Sequence, residues 1–565
     1  MGSSLSFYKH PSMDPPTVLT LLGLLSLATA SSSENCTFEQ ISPSKALTWC
    51  PCYDGFSCAK LDVPLDYQNP TIGRASVPMI KVPAQSNSSA GPYQGMVLVN
   101  PGGPGASGVD EALYNGTLLQ TVIGTNWDVV GFDPRGMYLS EPLANCSYGI
   151  TYDQNTTLKP RYVPGLSDAF YNGFIQAGKE IGEACERLAG GETDAGPHMS
   201  TATNARDMLS IVDAFAETAD GNRSAKPSHL LNYYGISYGT FLGQTFASMF
   251  PDRVGNVVLD GVVNPAGYLT NNTFAALYHI DGIIAAFFIY CHEAGPSECV
   301  YYTGSTPKDI YERFNASFIQ LDPRKAEAEN WSNATDLEAA LLTLKVALLT
   351  VVVEPLSYFT LLPQVLLNLE SALSAQDLAP WVSQVQAITG DPGPANDANP
   401  EWRLGTMCSD QNNQQYNKTL EEIRPLIQDL ENESIIGETW IKGELGCTGW
   451  SIKASEIFTG PFGGDTATPV LFVSNTYDPV TPIENSISSV PNYKNAQMLT
   501  IDGMGHTTSA TRNTCGYAKI RAYFQTNQLP GNGSFCPLEV GPFNIVLNGT
   551  LTENIQRAGL SSLVQ

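Results

Sequence analysis

Short, unbroken apolar runs that end in glycine-rich turns recur along the first half of the chain. Gly95 to Val99 leads into Asn100-Pro101-Gly102-Gly103-Pro104-Gly105, and Trp127 to Phe132 leads into Asp133-Pro134-Arg135-Gly136. His229 to Tyr234 leads into Gly235-Ile236-Ser237-Tyr238-Gly239, and Asn256 to Leu259 into Asp260-Gly261. Such runs predict strands buried on both faces, as in a parallel sheet. Between them the period changes. Met208, Ile211, Val212 and Phe215 fall on one helical face, and Thr240 to Ala247 has helical spacing. Alternating strands and helices predict a doubly wound, mostly parallel α/β sheet. Upstream, Ala59 to Tyr67 and Ala75 to Val82 read as two edge strands, because their prolines cannot donate to a ladder.

From about Asn264 to Pro461 strand-like runs are few and amphipathic ones many, among them Leu337 to Val352 and Leu361 to Leu373. The turn-rich Thr389 to Pro400 interrupts them. This stretch is expected to form a helical cap over the sheet's carboxyl edge. Sheet character returns at Pro469 to Val473 and Ala496 to Ile501. The expected organisation is a leader over 1–30, a first core part over 31–263, the cap over 264–461 and a second core part over 462–565.

Composition adds a compartment. Lys9 and His10 precede the apolar run Val18 to Leu27, which closes on Ala28-Thr29-Ala30, the layout of a signal peptide cleaved after Ala30. The run is shorter than the ~20 residues that span a bilayer. Fourteen N-x-S/T sequons, including Asn35, Asn115, Asn222, Asn333 and Asn548, fit a chain that passes the glycosylation machinery. Twelve cysteines, without zinc-ligand spacing, read as disulfides. Cys291/Cys299, Cys408/Cys447 and Cys515/Cys536 are spaced as local loops, although spacing does not determine connectivity. The net charge of -26 is spread over the 565 residues, which argues against nucleic acid and anionic membranes as partners. A secreted protein without metal or cofactor is expected.

Candidate chemistry centres on Ser237. Glycines two residues to either side, after a strand and before a helix, suit a tight turn that holds a serine clear of the sheet. A serine hydroxyl needs a base, and the base needs a group that fixes its tautomer. Of six histidines, only His279, His292 and His506 follow Ser237, and the first two fall in the expected cap. His506, in a loop after the last strand, is therefore the expected base, active only while its imidazole is neutral. Asp478, directly after a strand, is the expected acid, with Asp502 as its rival. Oxyanion donors are expected from the amide of Tyr238 and from the loop holding Gly102 and Gly103.

Taken together, the segments Asn100 to Gly105, Gly131 to Gly136, Gly235 to Thr240, Phe250 to Val254, Val258 to Val262 and Asp478 to Pro482 resemble the secreted tripeptidyl/prolyl aminopeptidase branch of the α/β hydrolases, with its TAP-like C-terminal region. The resemblance runs from about Cys58 to Cys536. It implies an α/β-hydrolase fold and a serine exopeptidase that removes short peptides or single residues from free N-termini. The sequence departs at Met137-Tyr138, where that branch has a small residue and a glycine; Tyr138 is expected to narrow the pocket. An exopeptidase needs a carboxylate facing the substrate ammonium, and the candidates in the cap are Asp410, to which the resemblance extends, and Glu354. An esterase or lactonase using the same three residues is the alternative. A catalytically silent adhesion protein is the third.

Overall fold

The computed structural model describes residues 36–85, 91–146, 166–271, 276–323, 334–389 and 399–564. The expected signal peptide, the Asn35 and Asn333 sequons and most of the turn-rich stretch before Pro400 lie outside the described residues. Ten strands form one sheet: β1 (Cys50–Cys52), β2 (Phe56–Pro64), β3 (Arg74–Val82), β4 (Gly95–Asn100), β5 (Trp127–Phe132), β6 (Leu231–Ile236), β7 (Val254–Asp260), β8 (Leu471–Tyr477), β9 (Gln497–Met504) and β10 (Ser534–Cys536). Their order is β1-β2-β3-β5-β4-β6-β7-β8-β9-β10. Pairing is antiparallel from β1 through β3 to β5 and parallel from β5 onward.

The sheet is buried on both faces, which explains the unbroken apolar runs. Alternate residues serve opposite layers. Val97 and Val99 of β4 join Val109 and Ala112 of α1 (Gly108–Ile123) and Tyr523 and Phe524 of α17 (Thr514–Thr526). Leu98, between them, joins Met208 and Ile211 of α3 (Thr201–Ala216) and Phe246 of α5 (Tyr238–Met249).

The two strands expected at a margin are placed differently. β3 is interior, between β2 and β5, and only the three-residue β1 lies outside β2. Pro78 is tolerated because it stands just beyond the last rung of the β3–β5 ladder, Met79 against Phe132, where its carbonyl still accepts the Asp133 N–H at 3.2 Å.

Three helices not singled out from the pattern precede the elbow strand, α1, α2 (Asp168–Ala189) and the short α4 (Ala219–Arg223). Between β7 and β8 the described chain forms α6 (Pro265–Asn271), α7 (Ile280–Glu298), α8 (Pro307–Gln320), α9 (Ala334–Val353), α10 (Pro355–Tyr358), α11 (Leu362–Ala375), α12 (Ala379–Thr389), α13 (Pro400–Asp410), α14 (Leu420–Glu433) and α15 (Lys442–Cys447). Most of these helices share a core of their own around Phe287, Leu344, Leu348 and Leu366, to which α2 contributes Tyr171 and Phe174. After β8 follow α16 (Ile483–Ser489), α17 and α18 (Leu551–Arg557).

All twelve cysteines are paired: Cys36–Cys50, Cys52–Cys58, Cys146–Cys185, Cys291–Cys299, Cys408–Cys447 and Cys515–Cys536. The three pairs expected as local loops are among them. No helix of the described residues is long and apolar enough to cross a membrane.

Candidate active site

Ser237 stands between β6 and α5 with φ 55° and ψ −124°, in the positive-φ region that non-glycine residues rarely occupy. Its flanking glycines permit the turn by their lack of bulk. A Cβ on Gly235 would come 2.5 Å from Gly239 O, and one on Gly239 would come 2.5 Å from Asn100 O. The turn is pinned to the sheet by Ser237 N–H, which donates to Asp260 O at 3.0 Å.

The acid and base follow β8 and β9, two and three strands along the same carboxyl edge. Asp478 is fully buried, and His506 keeps 16% of its side chain exposed. Nδ1 of His506 lies 3.0 Å from both carboxylate oxygens of Asp478. The carboxylate also accepts from Val480 N, Thr481 N, Thr481 Oγ1 and Thr507 N at 2.8–3.0 Å. Burial pushes the Asp478 carboxyl up, but the His506 charge and these donors outweigh it and leave it below the ordinary aspartate value. An ionised carboxylate only accepts, so the proton of the neutral ring sits on Nδ1 and Nε2 is left as the acceptor.

Thr481 also approaches His506 Nδ1, at 3.2 Å. The rival acid, Asp502, lies on β9, where its carboxylate accepts from Thr476 Oγ1. Ser237 and the imidazole share one edge: a Cβ on Gly261, beside Asp260, would come 3.4 Å from His506 Cε1. Among the described residues no hydrogen bond joins Ser237 Oγ to the ring; such contacts tighten when substrate binds.

Of the expected oxyanion donors, Tyr238 opens α5, so its amide has no intrahelical acceptor. Gly102 is different. Its N–H is already given to Asn100 Oδ1 at 3.0 Å, so it is no free donor. Its contribution is space, since a Cβ there would come 2.9 Å from both Ser237 Cβ and Tyr238 N. The amide of Gly103 has no acceptor among the described residues.

Two expected amine anchors occupy contrasting places. Asp410 is 4% exposed, and its oxygens accept from Thr201 N (2.8 Å), Thr201 Oγ1 (2.6 Å) and Tyr268 OH (3.0 Å). Thr201 Oγ1 in turn lies 2.5 Å from Tyr238 OH. Asp410 therefore braces the elbow from within, and its carboxylate presents no open face to a substrate ammonium; burial pushes it up to about 7. Glu354 is exposed, between α9 and α10. Its neighbour Val353 accepts the His506 backbone N–H at 2.8 Å.

Tyr138 has φ 50°, the conformation a glycine takes without strain. Its ring packs 4.3 Å from that of Trp402 on α13, and the next residue, Arg403, lies against Gly105. Sequence reasoning assigned no role to Thr481, Thr201 or Tyr268. Thr481 alone carried a local signal, the short spacing Asp478-Pro479-Val480-Thr481.

Residues 95–288 match the model described as alpha/beta hydrolase fold, and residues 433–536 match that of TAP-like protein. Serine protease Hip1 of Mycobacterium tuberculosis is 25% identical over 519 residues, covering 86% of this chain and 90% of that protein. Tripeptidyl aminopeptidase of Streptomyces lividans is 33% identical over 211 residues, covering 37% of this chain and 36% of that protein. Carboxylesterase B of M. tuberculosis is 27% identical over 492 residues, covering 85% and 86%. With its mostly parallel sheet, its strand-to-helix elbow and these relatives, the chain belongs to the α/β-hydrolase superfamily, carries a TAP-like C-terminal region and is a serine hydrolase.

Proposed function

We propose that the chain is a secreted aminopeptidase that releases tripeptides or single N-terminal residues through an acyl-enzyme at Ser237. As Ser237 Oγ attacks the scissile carbonyl carbon, its proton passes to His506 Nε2, and Asp478 stabilises the imidazolium. The oxyanion is held by the amides of Tyr238 and Gly103. Collapse expels the amine, which takes the proton from Nε2. A water then repeats the sequence on the acyl-enzyme, freeing the N-terminal fragment and restoring the serine. Glu354, exposed and adjacent in sequence to the residue that holds the His506 backbone, is the carboxylate assigned to the substrate ammonium. The helices over 264–461 act as the cap that sets how much chain is accepted, with the core formed by 31–263 and 462–565.

One observation carries the catalytic part: a serine at positive φ shares its sheet edge with an imidazole whose Nδ1 is held by a buried carboxylate. Six disulfides and exposed sequon asparagines such as Asn115, Asn222 and Asn548 support secretion. The esterase reading stands second, because the relative named carboxylesterase B matches most of both chains.

Ser237→Ala is expected to abolish turnover and labelling by an active-site phosphonate while the fold persists; a mutant at wild-type rates overturns the assignment. Free peptides are expected to be cleaved far faster than their N-acetylated forms. Glu354→Gln should slow the free peptides much more than a simple ester. Equal rates on free and acetylated peptides would discard the aminopeptidase reading for the esterase one.

A further inference from the structure

Asp260 ends β7 and stands between the two halves of the site. Its main-chain carbonyl takes the N–H of Ser237 at 3.0 Å. Its side chain, 2% exposed, takes the loop that carries His506: Thr508 N donates to Oδ1 at 3.0 Å, and Thr508 Oγ1 donates to Oδ2 at 2.6 Å. Tyr234 OH, from the strand that leads to Ser237, donates to the same Oδ2 at 2.9 Å. Three consecutive residues are thus held by two buried carboxylates, with His506 Nδ1 and Thr507 N on Asp478 and Thr508 N on Asp260. The loop needs this restraint, because Thr507 has φ 66°, a conformation a β-branched residue does not hold unaided.

We propose that Asp260 is a positioning residue that fixes the distance between the nucleophile and the base. This rests on the assignment of Ser237 and His506 above. Asp260 touches neither substrate nor reacting atoms; it acts by tying the Ser237 amide and the His506 loop to one rigid point in the sheet. Burial pushes its carboxyl up to about 6, and the Thr508 and Tyr234 donors, with the His506 charge, restrain that rise.

The test is kinetic, on the full chain. Asp260→Asn is nearly the same size but turns one acceptor into a donor facing Thr508 or Tyr234. It is expected to lower kcat and the rate of phosphonate labelling of Ser237 together, by about 10- to 100-fold, with KM changed less than about twofold, because a small misplacement of reacting groups costs on that order. Unchanged kcat in a folded Asp260→Asn variant overturns the proposal, and so does a rise in KM alone. Should that variant fail to fold, Thr508→Ser and Thr508→Val decide. Ser keeps both donors and is expected to retain wild-type kcat, whereas Val loses the hydroxyl and is expected to lower it; equal kcat values in the two refute the inference. The Ser237→Ala result separates the failures. An active Ser237→Ala enzyme removes the catalytic assignment itself, whereas an inactive one with an unimpaired Asp260→Asn removes only this role.

Discussion

Replacing Asp410 by asparagine should change how the stability of the protein depends on pH. In the folded chain this carboxyl is buried, with a value pushed up to about 7, against 3.8 for an unperturbed aspartate. Between those two values the unfolded chain has lost the proton while the folded chain keeps it. The folded state therefore binds more protons there, and stability falls as pH rises. The group's stabilising contribution is complete below about pH 4 and lost by about pH 7. A difference of roughly 3 units at about 1.4 kcal/mol each gives a ceiling of about 4 kcal/mol, which internal relaxation reduces. Asparagine cannot titrate, so Asp410→Asn should lack this component. The assay is urea unfolding of both proteins from pH 4.5 to pH 7.5, with the wild type losing its advantage by a few kcal/mol along the series. Parallel curves would show that Asp410 does not carry a raised titration, and a wild type that gained on the mutant with rising pH would reverse the argument.

Gly102→Ala should cost at least about 100-fold in kcat, the scale of losing an oxyanion donor, because a Cβ placed 2.9 Å from Tyr238 N obstructs the hole; near-normal kcat would show that the loop yields. Reduction of Cys408–Cys447, which ties α13 to α15 across 39 residues, should cost roughly 4 kcal/mol by loop-closure entropy, measured as the fall in unfolding midpoint with reductant. Thiol titration of the denatured, unreduced protein should find no free cysteine, and a substantial free-thiol count would contradict the pairing.

The parts of the fold that sequence reveals are those written locally. β4, β5 and β7 are buried at every position, so their runs stand out, and the elbow needs its glycines at fixed offsets from Ser237. Chain order then restricts the base to a few histidines. What escapes is whatever tertiary contact decides. Asp410 looks like any acidic residue at a helix end until Thr201 and Tyr268 close over it from elements 209 and 142 residues away. Pro78 reads as an edge residue because a missing N–H is a local fact, whereas its position past the last rung depends on where β5 stops. Asp260 sits in an unremarkable strand end, and its link to Thr508 spans 248 residues.

The contact between Val353 O and the His506 backbone N–H has a consequence for anyone who recombines such enzymes. A segment exchanged for that of a relative to alter what is accepted would replace the carboxyl end of α9, and the new backbone must then set a carbonyl where Val353 O receives the histidine loop. Gly505 leaves little slack, since a Cβ there would come 2.8 Å from that same carbonyl. Chimeras of this architecture should therefore place their junctions after Val353 or transplant the histidine loop together with the helices, so that selectivity and rate are inherited as one unit.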